Sequence, residues 1–206
     1  MTMAVTGRRE RKKAETRAAL ARAAVRLALE HGVENVTTEA IAEAADVAPR
    51  TFRNYFSSKE EAIVAELADG MRLIADMLRS RPAGEPLWDS VGYALRFLGS
   101  MPPQALDEIA AKVRMTRSSR ALLASQLAGF ERIGEEFTAI IADRTGTDAR
   151  TEIYPRLAAS VVVTTLRMAV FMWLDSDGRL SLADVGADAI ALIRAGLPGP
   201  EPEVST

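Results

Sequence analysis

The side chains best suited to chemistry in this 206-residue chain lie between Thr37 and Glu61. Arg50, Thr51, Arg53, Asn54 and Tyr55 follow one another closely, with Pro49 ahead of them and Lys59 behind. Guanidinium, amide and hydroxyl groups of this kind donate hydrogen bonds to phosphates and base edges. They do not make a hydrolytic or redox centre. Elsewhere, catalytic chemistry is hard to assemble. Cysteine is absent, which removes thiol nucleophiles, disulfides and cysteine-held zinc or iron–sulfur. The single histidine, His31, excludes multi-histidine metal sites and argues against a histidine-based triad. No glycine-rich phosphate loop, Gly-x-Ser-x-Gly elbow or His-Glu-x-x-His occurs. Asp175-Ser176-Asp177-Gly178 begins like a calcium loop, but its twelfth position is Gly186 where a glutamate is needed. Glu60-Glu61 and Glu135-Glu136 are adjacent on helices and point different ways. No enzyme, no metal and no cofactor is expected.

The elements that must hold the Arg50–Tyr55 cluster are helical. With 36 alanines, nine prolines and no β-branched alternation, the composition favours helices throughout. Leu20, Ala23, Ala24, Leu27 and Ala28 share one face of a helix over 11–31, stopped at Gly32. Thr37 and Thr38 are both N-cap candidates for a short helix carrying Ile41, Ala42 and Ala45. Asp46-Val47 makes a tight link, and Pro49 opens a third helix with Phe52, Tyr55 and Phe56. Ser57 and Ser58 each precede a glutamate by three residues, the capping-box pattern that opens a helix over 58–80. Two short helices with a small residue, Ala42, at the crossing and apolar anchors Val47, Phe52 and Phe56 beneath the second form a helix-turn-helix candidate. An ordinary helical hairpin fits the spacing too.

Charge divides the chain unevenly. Residues 1–60 carry 11 Lys/Arg against 8 Asp/Glu, a balance of +3, whereas residues 61–206 carry 15 against 20, a balance of -5. The first 26 residues hold eight basic and two acidic side chains. A basic head on an acidic body is the footprint of a part that meets phosphate. The arm residues Arg8, Arg9, Arg11 and Lys12 fit a phosphate-tracking or minor-groove role and, equally, a solvated terminus with no role. Behind the head, six further apolar-periodic segments bring the total to about nine helices and no strand, an all-α fold. The proline-rich tail over 197–206 is expected to be disordered. No 18-residue apolar run lacks charges, and the basic start has no apolar stretch behind it, so a cytoplasmic protein without a membrane span is expected.

The run TTEAIAEAADVAPRTFRNYFSSKEEAIVAEL resembles the N-terminal signature of the TetR family of transcriptional regulators, and KAETRAALARAAVRLALEHG resembles that family's first helix. About 50 residues are covered. Three positions depart from the pattern: Asp46 stands where glycine is usual, Ala48 where serine is common, and Arg53 where an aromatic phosphate contact is common. The resemblance implies a DNA-binding domain over 1–60, comprising the arm and the helix-turn-helix, and a ligand-binding and dimerisation domain over 61–206, with helix 58–80 linking them. It implies that Thr38 bonds a phosphate while capping the second helix, and that Pro49, Arg50 and Thr51 face the major groove. Arg50 suits bidentate pairing with guanine. Arg53, Tyr55 and Lys59 are placed for phosphates, and Asn54 for either target.

For the second half, the resemblance implies a cavity for a small effector and a four-helix interface between two copies. The nearly all-apolar run over 157–174 suits burial on two sides, and equally the central helix of one core. Phe97, Met115, Phe130, Phe137, Met168, Met172 and Trp173 are candidates for lining an apolar pocket, which favours a lipophilic effector. The segment APRTFRNYFSSKEEAIVAEL and the Trp173-to-Gly178 ending resemble a subgroup that includes the mycofactocin regulators, which implies an acyl-CoA-like ligand. The expectation is a homodimeric repressor on a palindromic double-stranded operator, released by that effector. The rival class is an all-α carrier or enzyme with an apolar cavity and no DNA role.

Overall fold

The computed structural model describes residues 2–199, with side chains from Gly7 onward. Among the described residues there are nine α-helices and no strand: α1 (Thr2–His31), α2 (Thr38–Ala44), α3 (Pro49–Phe52), α4 (Lys59–Ser80), α5 (Leu87–Gly99), α6 (Pro103–Ser118), α7 (Arg120–Thr145), α8 (Tyr154–Asp175) and α9 (Leu182–Arg194). A single 3-10 turn, Val33–Asn35, joins α1 to α2. α1 begins well before the residue-11 start that its apolar face suggests, so the basic arm is helical. The expectation for the tail beyond residue 199 lies outside the described residues.

Two compact units are present, and they divide the chain differently from a cut at residue 60. The first comprises residues 1–72 together with 104–133; the second comprises 73–103 together with 134–206. In the first unit Leu20, Ala24 and Ala28 of α1, Ile41 and Ala42 of α2, Phe52 and Phe56, and Ile63 of α4 close one core, to which α7 adds Leu122. These residues are 0–3% exposed. Their burial is what fixes the two short helices α2 and α3, each too short to be stable alone.

In the second unit α9 lies between α5 and α8. The α5–α9 crossing depends on two glycines. A Cβ on Gly99 would stand 2.6 Å from the Cβ of Ala183, and one on Gly186 would stand 2.9 Å from the Cβ of Leu95. The opposite end is tied by a polar knot that nothing in the sequence singles out. Arg144 of α7 donates to the carbonyls of Leu78, Arg81, Pro82 and Glu85 at 3.0–3.2 Å and to the Ser90 hydroxyl at 3.0 Å. Glu85 accepts from Arg81 Nε at 2.8 Å and from Ser90 Oγ at 2.6 Å. The Arg81 and Ser90 hydrogen bonds hold the Glu85 carboxyl down at about 2.

α8 is long and apolar enough to cross a membrane by length and composition, in spite of Arg156 and Arg167. Core helices of other proteins pass the same test, and 33% of its most apolar window is buried. Ala158, Ala159, Val162, Thr165, Leu166 and Ala169 supply its buried face. Leu157, Thr164, Met168 and Met172 form an exposed stripe on another face at the 3,4 spacing.

Candidate nucleic-acid interface

The turn between α2 and α3 is built by backbone chemistry. Val47 N–H donates to the Ala42 carbonyl and Asp46 N–H to the Glu43 carbonyl, both at 3.0 Å, the paired bonds of a Schellman cap. That cap needs a left-handed residue, and Asp46 supplies it with φ of 54°. The unusual aspartate therefore adopts the conformation that glycine would take at lower cost. The absence of serine at position 48 is also visible, since Ala48 caps α3 with no side-chain bond.

α3 itself is four residues long, but turns extend it: Asn54 N–H reaches the Thr51 carbonyl, and Tyr55 and Phe56 N–H reach that of Phe52. Phe52 and Phe56 face inward, 1% and 2% exposed, with ring centroids 5.8 Å apart. Their burial turns the other face outward. Pro49, Arg50, Arg53 and Asn54 are exposed, and Thr51 is half-buried. Tyr55 is half-buried against the core. Among the described residues Arg50, Arg53 and Asn54 make no side-chain hydrogen bond or ion pair, so their donors face solvent. The interface is a short ridge with two unneutralised guanidiniums on a buried aromatic footing.

Two residues expected to touch phosphate hold partners within the protein, and the cap expected of one of them falls to its neighbour. Thr37, not Thr38, caps α2: its hydroxyl accepts from Ala40 N–H at 3.1 Å. Thr38 is the first helical residue and its hydroxyl donates to the Glu39 carboxylate at 3.0 Å. Lys59 turns back into the domain. Its ammonium donates to the carbonyls of Val33 at 2.9 Å, Val36 at 3.0 Å and Glu34 at 3.4 Å. Those carbonyls belong to the 3-10 turn before α2 and the residue after it, so Lys59 fastens the first turn of α4 to the chain that leads into the helix-turn-helix. A turn of Val-Glu-Asn-Val between Gly32 and Thr37 signals carbonyls in need of a donor, but not which cation supplies it.

The first turn of α4 is reinforced by a capping box. Ser58 Oγ accepts from Glu61 N–H at 3.1 Å, while the Glu61 carboxylate accepts from Ser57 N–H at 2.9 Å and Ser57 Oγ at 2.7 Å. Burial pushes the Glu61 carboxyl up, but the two Ser57 bonds and the nearby Arg132 and Arg17 guanidiniums outweigh it and hold it below its ordinary value. Arg17 lies over the Phe56 ring at 5.0 Å and pairs with Asp69 at 3.2 Å.

The seven residues considered for an apolar pocket are divided between the two units. Met115 packs against the core of the first unit, and Phe130 is half-buried on the α7 segment of that same unit. Phe137 is completely buried in the second unit, as core. Met168 and Met172 are 44% and 50% exposed and line an apolar groove of about 290 Å³ between α8 and α9, with Leu180, Leu192 and Leu197. Phe97 is exposed on α5, and Trp173 is half-buried on α8.

A short recognition helix, footed on aromatic core and preceded by a Schellman turn, makes this chain a helix-turn-helix protein. Comparison with known proteins defines it further. Residues 20–66 match the family described as bacterial regulatory proteins, tetR family, and residues 85–198 match the MftR C-terminal domain. The HTH-type transcriptional regulator TcmR of Streptomyces glaucescens is 34% identical over 173 residues, covering 81% of this chain and 76% of TcmR. The chain belongs to the TetR family of transcriptional regulators. The fold agrees with solved structures. A TetR regulator from Rhodococcus sp. RHA1 superposes with a TM-score of 0.59 at 20% identity, over 89% of this chain and 96% of that one. Thermus thermophilus FadR in complex with lauroyl-CoA gives 0.55 at 20% identity, over 92% and 99%. The family consists of DNA-binding regulators, which removes the rival reading of a carrier or enzyme without a DNA role.

Proposed function

We propose that this regulator is a cytoplasmic repressor that binds a palindromic operator as a homodimer and is released by a small lipophilic effector of the acyl-CoA type. The observation that carries the DNA reading is the outward ridge of Arg50, Arg53 and Asn54 above buried Phe52 and Phe56. Arg50, in the first turn of α3, is assigned to base readout; Arg53 and Tyr55 are assigned to phosphates, with Pro49 and Thr51 against the groove wall. Lys59 and Thr37 position the motif without touching DNA.

The exposed stripe on α8 and the groove it forms with α9 support pairing of two copies through these helices. An apolar face of this extent on a two-helix layer is covered economically by its own twin. The acyl-CoA class is supported by the MftR-type C-terminal match and by the lauroyl-CoA complex of a protein with the same fold. Phe97 and Trp173 are the pocket candidates left in the C-terminal unit. An effector that releases DNA binds the non-DNA conformation more tightly, and DNA weakens effector binding by the same factor.

The test is a selection from random duplexes, followed by titration with acyl thioesters of graded chain length. A palindromic consensus released by a long-chain thioester is expected. Arg50→Ala then costs about 1–3 kcal/mol of discrimination at one base position in each half-site. Equal weakening on every sequence would make Arg50 a phosphate contact instead.

A further inference from the structure

The DNA ridge leaves the strongest charge in the first unit unused. α1 starts at Thr2, yet its first buried residue is Leu20, and every side chain from Gly7 to Glu15 is exposed. These nine residues are about 13 Å of helix without a buried side chain. They carry Arg8, Arg9, Arg11, Lys12 and Lys13 against Glu10 and Glu15. Arg8 with Lys12, and Arg9 with Lys13, are like charges at the i,i+4 spacing, an arrangement that opposes the helix. Among the described residues none of the five is in an ion pair. A helix that keeps such charges unneutralised is poised for a polyanion.

The anchor of this arm says which polyanion. Arg17 lies one turn beyond Lys13, held over the Phe56 ring and on Asp69. Phe56 N–H bonds the Phe52 carbonyl, so that ring closes the last turn of the recognition helix. The arm therefore leaves the domain beside that helix's C-terminal end, with Lys13 about 6 Å and Arg8 about 13 Å along the axis from the anchor. A helix in the major groove, which is about 12 Å wide, has phosphates flanking it at comparable range.

We infer that residues 8–13 of α1 form a second phosphate-binding surface, which grips the duplex backbone beside the half-site without reading bases. The inference rests on the DNA-binding reading above. It is tested in the full chain by replacing all five cations with glutamine, a helix former of similar propensity. Binding is measured against salt on the selected duplex and on a scrambled duplex of equal length. Each phosphate contact contributes about 0.9 to the slope of log K against log salt, so two or three contacts make the variant's slope shallower by about 2 to 3. Loss on both duplexes by the same factor is expected. An unchanged slope, or a loss confined to the selected duplex, overturns the inference while leaving the recognition ridge intact. Wild-type protein that shifts neither duplex at low salt overturns both readings. Arm-dependent binding to phosphatidylglycerol vesicles with no effect on duplex would assign the arm to a membrane surface and overturn it equally.

Discussion

Replacing Lys59 by methionine separates two roles that the same cation can play at the start of α4. The ammonium spends its donors on the carbonyls of Val33, Val36 and Glu34, at 2.9, 3.0 and 3.4 Å. Hydrogen bonds to a charged group contribute about 1.5–3 kcal/mol, and the half-exposed surroundings let water recover part of that when the ammonium is lost. Lys59→Met therefore costs about 2 kcal/mol of stability, close to 30-fold in the folded ratio, and shifts the denaturant midpoint without changing its slope. DNA affinity falls on every duplex because the chain leading into α2 is loosened. The salt slope of binding stays where it was, since no counterion-releasing contact has gone. A lysine on phosphate behaves in the opposite way: its removal lowers the slope by about 0.9 and leaves the midpoint alone. Denaturation and anisotropy titrations at several salt concentrations on one preparation decide between them. A variant that loses slope at constant midpoint refutes the clamp.

Asp46→Gly relieves the left-handed φ of 54° and should stabilise the protein by up to about 1 kcal/mol, read as a rise in the denaturant midpoint. The Glu85 carboxyl lies at about 2 in the folded protein against an ordinary value of 4.5. Its contribution is therefore complete above about pH 4.5 and is lost as pH falls from there through 2. Glu85→Gln should show a smaller decline in midpoint across that window than wild type; an identical decline in both would assign the acid sensitivity to other carboxylates. Met168→Asp places a charge in the exposed α8 stripe. With about 2 kcal/mol of apolar burial lost from each of two copies, the proposed dimer should weaken roughly a thousandfold by sedimentation equilibrium.

The helix-turn-helix was legible because nearly everything that specifies it is local. The Schellman turn needs a residue that tolerates positive φ, and Asp46 stands there; Pro49 opens α3; Ser58 and Glu61 open α4. Phe52 and Phe56 are four apart, so one inward means both inward, and Arg53 and Asn54 between them must face out. What escaped was contact across the chain. Lys59 sits directly after a serine pair and looks like a solvent-facing cation, yet its partners are 23 to 26 residues earlier. Arg144 is more remote still, bonding carbonyls some 60 residues away around a loop whose shape exists only after folding. Thr37 and Thr38 are the intermediate case. Either hydroxyl could cap α2, and the choice depends on where the 3-10 turn ends.

The apolar residues of the second half show a deeper limit. Large side chains at helical spacing are selected by a core, by an interface and by a ligand pocket through the same property, their dislike of water. Met115, Phe137 and Met168 could not be told apart by type or periodicity. One packs beneath the helix-turn-helix, one is completely buried in the second unit, and one stands on an open face. Only the α8 helix carried a hint, because it is apolar on more faces than a single neighbour can cover. That excess fits an interface, the central helix of a core and a pocket wall alike. A pocket announces itself through the polar groups that orient its ligand. An effector of this regulator is therefore better sought by titration with candidate ligands than by counting its aromatic residues.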